Sequence, residues 1–276
     1  MELPLPPHHH IHARGFSLVE MAVVVAIVGL MLGAFLIPLT AQMDQRRLLE
    51  TRAQLENARE ALLGYAMANG RFPCPAAAPG GGTTAVEAFA PTGTTANGKC
   101  ASFFNGYLPG VTLGLSPADS AGYLQDGWGN PIRYAVANLS DDANASHIFT
   151  KSAGMKNANG ACTPPCSTGM SWISTQNLLY VCTSGSGITP TNCGTATQLT
   201  NGAVFVVYST GKNTASGGTG TDEAANPNPN STNNDAVFVS HAPTANTSAN
   251  GEFDDLLEWV SSSTVFAKLV AAGQLP

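Results

Sequence analysis

Charge is what this sequence has least of. Only 11% of its 276 residues are Asp, Glu, Lys or Arg, against roughly 25% in an ordinary soluble domain. Twelve Lys and Arg face 18 Asp and Glu, a formal charge of −6. That balance excludes a nucleic-acid binder working through a broad basic face. Histidine is scarce beyond the N-terminus. Of six, four (His8, His9, His10 and His12) crowd the N-terminus and only His147 and His241 remain. Two histidines are too few partners for zinc at Cys162-Thr-Pro-Pro-Cys166, whose three-residue spacing is not the redox C-x-x-C either. There is no G-x-S-x-G elbow, and Gly211-Lys212-Asn213 lacks the upstream Gly and the Ser/Thr of a phosphate loop. The sequence thus points away from an enzyme. With 43% hydrophobic residues, a wholly disordered chain is excluded as well.

What is abundant is apolarity in one block. Met21 to Leu39 is a run of nineteen residues without a charge. As a helix it covers roughly 28 Å, about the hydrocarbon thickness of a bilayer. The run is too long for a cleavable secretory signal, and the candidate site after Ala41 carries Leu39 where a small residue is needed. Gly29 and Gly33 give the G-x-x-x-G spacing that lets helix backbones approach closely.

Before the run stands Arg14-Gly15-Phe16-Ser17-Leu18-Val19-Glu20. A carboxylate inside hydrocarbon costs about 2.5–3.5 kcal/mol on insertion scales, so Glu20 needs a partner. No cation lies one helical turn away within the segment. Cleavage between Gly15 and Phe16 would create one, an α-amino group four residues upstream of Glu20, able to neutralise it in the same chain or a neighbour.

Gly15-Phe16-Ser17-Leu18-Val19-Glu20 followed by the apolar run resembles the type IV pilin family, including the pseudopilins of type II secretion. The resemblance covers residues 10–70. It implies cleavage after Gly15 by prepilin peptidase on the cytoplasmic side, N-methylation of Phe16, and a contact between Glu20 and the new N-terminus of an adjacent subunit during assembly. Residues 1–15, histidines included, then form a dispensable leader. Pro38 lies one position later than the usual helix-interrupting proline of the family. Arg14 before the run and Arg46 and Arg47 after it leave the positive-inside rule undecided; the peptidase motif places the N-terminus in the cytoplasm.

The predicted fold class is α+β. A long N-terminal helix (16–69, with 16–39 membrane-spanning and 40–69 amphipathic) packs on an antiparallel β-sheet head (70–276) with long, disulfide-stapled loops. Leu48, Leu55, Ala58, Leu62 and Ala66 form an apolar stripe at helical period, and Asn69-Gly70 supplies a stop. Ile132–Ala137, Leu178–Cys182, Ala203–Tyr208 and Ala236–Ser240 read as strands. Phe253–Val260 reads as a short helix with an acidic first turn, and Ser263–Ala272 as another, closed by Gly273.

Asp126-Gly127-Trp128-Gly129-Asn130-Pro131 is similar to a segment leading into a sheet strand in major pseudopilins; physically it is a turn that buries one Trp. Tyr208-Ser209-Thr210-Gly211-Lys212-Asn213 is also similar to that family, in which a nearby acidic loop holds calcium. Here Asp222, Glu223 and Asp235 offer hard oxygen ligands, without EF-hand spacing, and a solvated loop is the plainer reading. All six cysteines, Cys74, Cys100, Cys162, Cys166, Cys182 and Cys193, follow the apolar run, as expected of disulfides formed outside the cytoplasm. Fifteen connectivities are open; short loop closure favours Cys74–Cys100, Cys162–Cys166 and Cys182–Cys193.

The resemblance implies a bacterial inner-membrane protein with one span and a periplasmic head. An assembly platform extracts it to join other pilin subunits in a pilus or pseudopilus filament. The alternative is a minor pilin whose head is an adhesive or ligand-binding module, for a surface, DNA or an exported substrate. The two differ in stoichiometry within the filament.

Overall fold

The computed structural model describes residues 15, 17–116, 118–140, 146–158, 170–213, 220–226 and 235–275; within the first helix the side chains of 32–41 are not described. The chain divides into two compact units, residues 1–46 and 47–276. One helix, α1 (Leu18–Asn69), contributes to both and is helical through Gly29, Gly33 and Pro38.

In the first unit every described side chain from Ser17 to Met31 is exposed. Leu18 is 91%, Leu30 77% and Val25 66% exposed, so the helix is apolar around its whole circumference. Such a helix is stable only inside an apolar medium or among other helices. Among the described residues no helix is long and apolar enough to cross a membrane. The described side chains stop at Met31, inside the expected span Met21–Leu39.

In the second unit the helix turns amphipathic as the stripe predicts. Leu55, Ala58, Leu62 and Ala66 are buried, joined by Thr51 and Leu63, while Leu48 is half-buried. The sheet comprises β1 (Gly106–Tyr107), β2 (Arg133–Val136), β3 (Leu179–Cys182), β4 (Gln198–Ser209), β5 (Val237–Val239) and β6 (Leu256–Ser261). Short helices α2 (Gly110–Leu113), α3 (Met170–Ile173) and α4 (Thr221–Ala225) lie between strands, and α5 (Ser262–Ala271) follows β6. The order β1-β2-β4-β3-β5, with β6 on β4, makes the twelve-residue β4 the spine. Most pairs are antiparallel, but β3 and β5 run parallel, so the sheet is mixed rather than purely antiparallel. Leu62, Phe72, Tyr134, Phe205 and Val207 share one core, with Phe72 and Phe205 rings 5.3 Å apart.

The stretch expected as a helix at Phe253–Val260 is instead β6, because β4 offers an unpaired edge. Phe205↔Val260, Val207↔Glu258 and Ser209↔Leu256 face each other, satisfying backbone groups that would otherwise be orphaned. Tertiary pairing outweighs the local preference of Leu-Leu-Glu-Trp. The next element is as expected: α5 is capped by Ser261, whose side chain accepts from the Thr264 N–H, and Gly273 follows at φ +71°.

Two disulfides staple the loops, Cys74–Cys100 and Cys182–Cys193. These are two of the three neighbour pairings; Cys162 and Cys166 lie outside the described residues. The loop closed by the first carries Glu87, the partner of the buried Arg71. Arg71 donates from both Nη atoms to Glu87 at 2.8 Å and from Nη2 to the Tyr65 hydroxyl at 2.8 Å, tying the end of α1 to the loop.

The Asp126–Pro131 turn is a dock for the helix. Asp126, 5% exposed, accepts from the Trp128 and Asn130 N–H groups and from the Ser209 hydroxyl on β4. Gly127 N–H donates to Thr51 Oγ1 at 2.9 Å, and a Cβ at Gly127 would sit 2.3 Å from the Arg47 carbonyl. Trp128 itself is only half-buried. The buried residue of the turn is the aspartate, since its carboxylate organises the loop from inside.

Candidate functional site

Two constellations carry chemistry, one in each unit. At the start of α1, Glu20 N–H donates to Ser17 Oγ at 3.1 Å and Ser17 N–H donates to Glu20 Oε2 at 3.4 Å. Ser17-Leu18-Val19-Glu20 is therefore a reciprocal capping box. The S-x-x-E spacing was available in the sequence and reads directly as a cap, a role for Glu20 that the search for a cation passes over. The carboxylate also sits at the positive end of the helix dipole. Gly15 is exposed, and Phe16 lies outside the described residues.

The second constellation is acidic and sits where α4, the approach to β6 and the end of β4 meet. Glu223, Asp254 and Asp255 bring carboxylate oxygens within 4.8 Å of one another, and among the described residues no other trio of ligand-capable side chains does so. Of the expected set Asp222, Glu223 and Asp235, only Glu223 belongs to it. Asp222 accepts from the Ser184 hydroxyl at 2.9 Å, the Gly185 N–H, Asn250 and His241 Nε2 at 3.1 Å. Burial works against its ionisation, but these bonds outweigh it and hold the carboxyl below its ordinary value. Asp235 accepts from the Val237 N–H, and burial pushes it up.

This gathering of Ser184, Asp222 and His241 is not a hydrolytic triad. The aspartate is in the middle, the serine donates to it, and the imidazole contacts Asp222 and the Ala242 carbonyl. Both ring nitrogens of His241 are taken by Asp222 and Ala242, so the imidazole is not the base on the Ser184 hydroxyl that a triad requires.

Asp254 and Asp255 fell inside the expected helical turn, so sequence alone hid their role; they lie in the extended approach just before β6, where they meet Glu223. Burial pushes Asp255 up to about 8, aided by the charges of Glu223 and Asp254 and opposed by a hydrogen bond from Asn226. Asp254 is pushed up to about 6, again chiefly by burial. Three such carboxyls either share protons or hold a hard cation. Much of the oxygen set is already committed to amide donors. Asn213 and the Asp254 N–H donate to Glu223, the Lys212 N–H donates to Asp254, and the fully buried Asn226 donates to Asp255 at 2.7 Å. Asn226 also bridges both backbone groups of Val239, so the cluster locks α4 and β5 to the start of β6. Calcium needs six to eight oxygens, and only Asp254 Oδ1 in the cluster is a buried oxygen without a partner. The donor set suits shared protons better than a calcium ion.

Neither a comparison with curated proteins nor one with solved structures gives a match. The start of the chain does match a family model. Residues 12–36, which contain Gly15, Phe16, the capping box and the apolar helix, carry the prokaryotic N-terminal methylation motif, the prepilin-type signal of type IV pilins and pseudopilins.

Proposed function

We propose that the chain is a structural subunit of a type IV pilus or type II secretion pseudopilus. In this reading residues 1–15 are a leader removed by prepilin peptidase after Gly15, and Phe16 becomes the methylated N-terminus. Residues 16–39 anchor the subunit in the inner membrane, N-terminus in the cytoplasm, and later form the filament core. Residues 40–69 carry the helix onto the head, which is periplasmic. The observation that carries the reading is a methylation motif set on a helix whose described side chains from Leu18 to Met31 are all exposed and, Glu20 apart, uncharged. Neighbouring subunits would cover that surface, and Glu20 would meet the new amino group of one of them. Mass spectrometry of the mature N-terminus tests it. N-methylated Phe16 is expected, and a chain beginning at Gln42 would overturn it.

A minor pilin with a binding head is the second reading, favoured by the disulfide-stapled loops at Cys74–Cys100 and Cys182–Cys193. Filament fractionation separates the two, stoichiometric recovery marking a shaft subunit and traces a minor one. For calcium, the oxygen set the head offers is Glu223, Asp254 and Asp255. Calorimetric titration of the chain with calcium tests that role, and absence of heat ends it.

A further inference from the structure

A cavity beside β3 contains none of the residues given a role in processing, anchoring or assembly above. Its volume is about 400 Å³, within the usual range for small-molecule sites, about 300–1,000 Å³. Its floor is apolar and aromatic: Phe104, Leu178 and Tyr180 are 6%, 6% and 8% exposed. Its rim carries three exposed carboxamides, Asn138, Asn177 and Asn192. Among the described residues no charged side chain lines it.

The orientation of those amides is fixed from behind. Asn138 Oδ1 contacts His147 Nδ1 at 2.6 Å, Asn177 Oδ1 accepts from Asn201 Nδ2 at 2.8 Å, and Asn192 Oδ1 accepts from the Gly194 N–H at 2.8 Å. Each asparagine spends its acceptor on the protein. Among the described residues the three Nδ2 groups and the Tyr180 hydroxyl have no protein partner, so the rim presents donors.

The walls are rigid. The Cys182–Cys193 disulfide pins the residue next to Asn192, and a Cβ at Gly194 would sit 2.0 Å from the Gly187 carbonyl, a sign of a tight turn. The register of β3 shifts on either side of Val181, the kind of irregularity that re-aims side chains beside sites. Fixed donors cut the ordering cost of binding.

A donor-rich, uncharged rim over an aromatic floor selects a ligand that is neutral, rich in oxygen acceptors and flat on one apolar face. Without a cation in the lining, a phosphate or sulfate would be desolvated with nothing to pair it. We propose that this cavity binds a short neutral saccharide, its ring oxygens accepting from Asn138, Asn177 and Asn192 and its C–H face resting on the aromatic floor. The inference is independent of the filament reading, which the mature N-terminus decides; the cavity could fail while that reading stands, and the reverse.

The test is saturation-transfer NMR on the full chain in dodecylphosphocholine micelles, which carry no sugar. The probes are N-acetylglucosamine, galactose, mannose, lactose and chitobiose, with methyl phosphate and Ala-Ala-Ala in separate arms. Asn177→Asp and Asn192→Asp keep the acceptor that holds each side chain and remove the donor, so the fold is retained. Transfer to at least one sugar is expected, with affinity weakened about fivefold or more in each variant. Silence from all the sugars, sugar binding that both variants keep, or binding of methyl phosphate or the tripeptide alone would overturn the proposal.

Discussion

Replacing Asp255 by Asn asks whether the acidic cluster works by holding protons. The carboxyl is 4% exposed at the start of β6 and is pushed up to about 8 by burial and by its acidic neighbours, from an ordinary value of 3.8. Between those two values the folded chain keeps a proton that the unfolded chain has released. The folded state therefore binds more protons, and stability falls as pH rises. The loss begins above pH 4 and is complete once pH passes about 8. Each pH unit in that window costs about 1.4 kcal/mol, so one such site removes about 3–4 kcal/mol between pH 5 and pH 8. Asp254 adds slope of the same sign, weakened by its greater exposure to solvent. Asp222 has the opposite sign. Its lowered value means its contribution is present above the unfolded value and lost only as pH falls through the folded one, so it is silent from pH 5 to 8. The three tryptophans, Trp259 on β6 among them, report urea unfolding at each pH. The wild type is expected to lose stability steadily from pH 5 to 8. Asp255→Asn keeps an acceptor for Asn226, has no proton to lose, and should be the more stable form at pH 8 with a much flatter profile. Two parallel profiles would refute the proton-sharing account.

Glu87→Gln leaves the buried Arg71 guanidinium without its counter-charge, though still bonded to the Tyr65 hydroxyl, and should cost about 1–3 kcal/mol in urea unfolding. Gly127→Ala forces a Cβ to 2.3 Å from the Arg47 carbonyl; about 1–3 kcal/mol should be lost, and near-neutral thermal unfolding would show that the turn does not dock on α1. Opening Cys74–Cys100, whose residues are 26 apart, should destabilise by about 3 kcal/mol and by more than opening Cys182–Cys193, 11 apart, because the longer loop regains more unfolded-state freedom. Thermal unfolding of the two Cys→Ser pairs checks the order.

The helix was legible in the sequence because its signals are local. The spacing of Leu55, Ala58, Leu62 and Ala66 fixes the buried face, and Asn69-Gly70 ends the helix, with Gly70 at φ +64°. The strands β2, β3 and β5 were legible for the same reason, as runs of Val, Tyr, Phe and Ile between turn residues. What was not legible depended on a partner far along the chain. The extension of β4 back to Gln198 rests on β3 through Val181↔Thr200 and Cys182↔Gln198. Leu256–Val260, in the expected helix, is strand because it pairs with β4. The acidic cluster failed with it, since Asp254 and Asp255 reach Glu223 only once β6 exists.

On the proposed filament role, the capping box changes what Glu20 gives up on assembly. In the chain described here its carboxylate already has a donor, the Ser17 N–H, at a long 3.4 Å. Such a cap is worth about 1 kcal/mol. A charged amino group brought to the same carboxylate in an apolar filament core would be worth more, because truncating one partner of a desolvated charge pair costs about 2–5 kcal/mol. The stronger contact wins wherever water is excluded, and the cap holds Glu20 at the helix start until then. Ser17→Ala removes the hydroxyl half of the cap and leaves the backbone N–H contact and the charge; Glu20→Gln removes the charge and leaves a cap of similar shape. If charge pairing drives assembly, Ser17→Ala should enter filaments nearly as well as the wild type, and Glu20→Gln should be excluded although it is processed after Gly15. The reverse order, measured by filament recovery of the two variants, would make Glu20 a helix cap and nothing more.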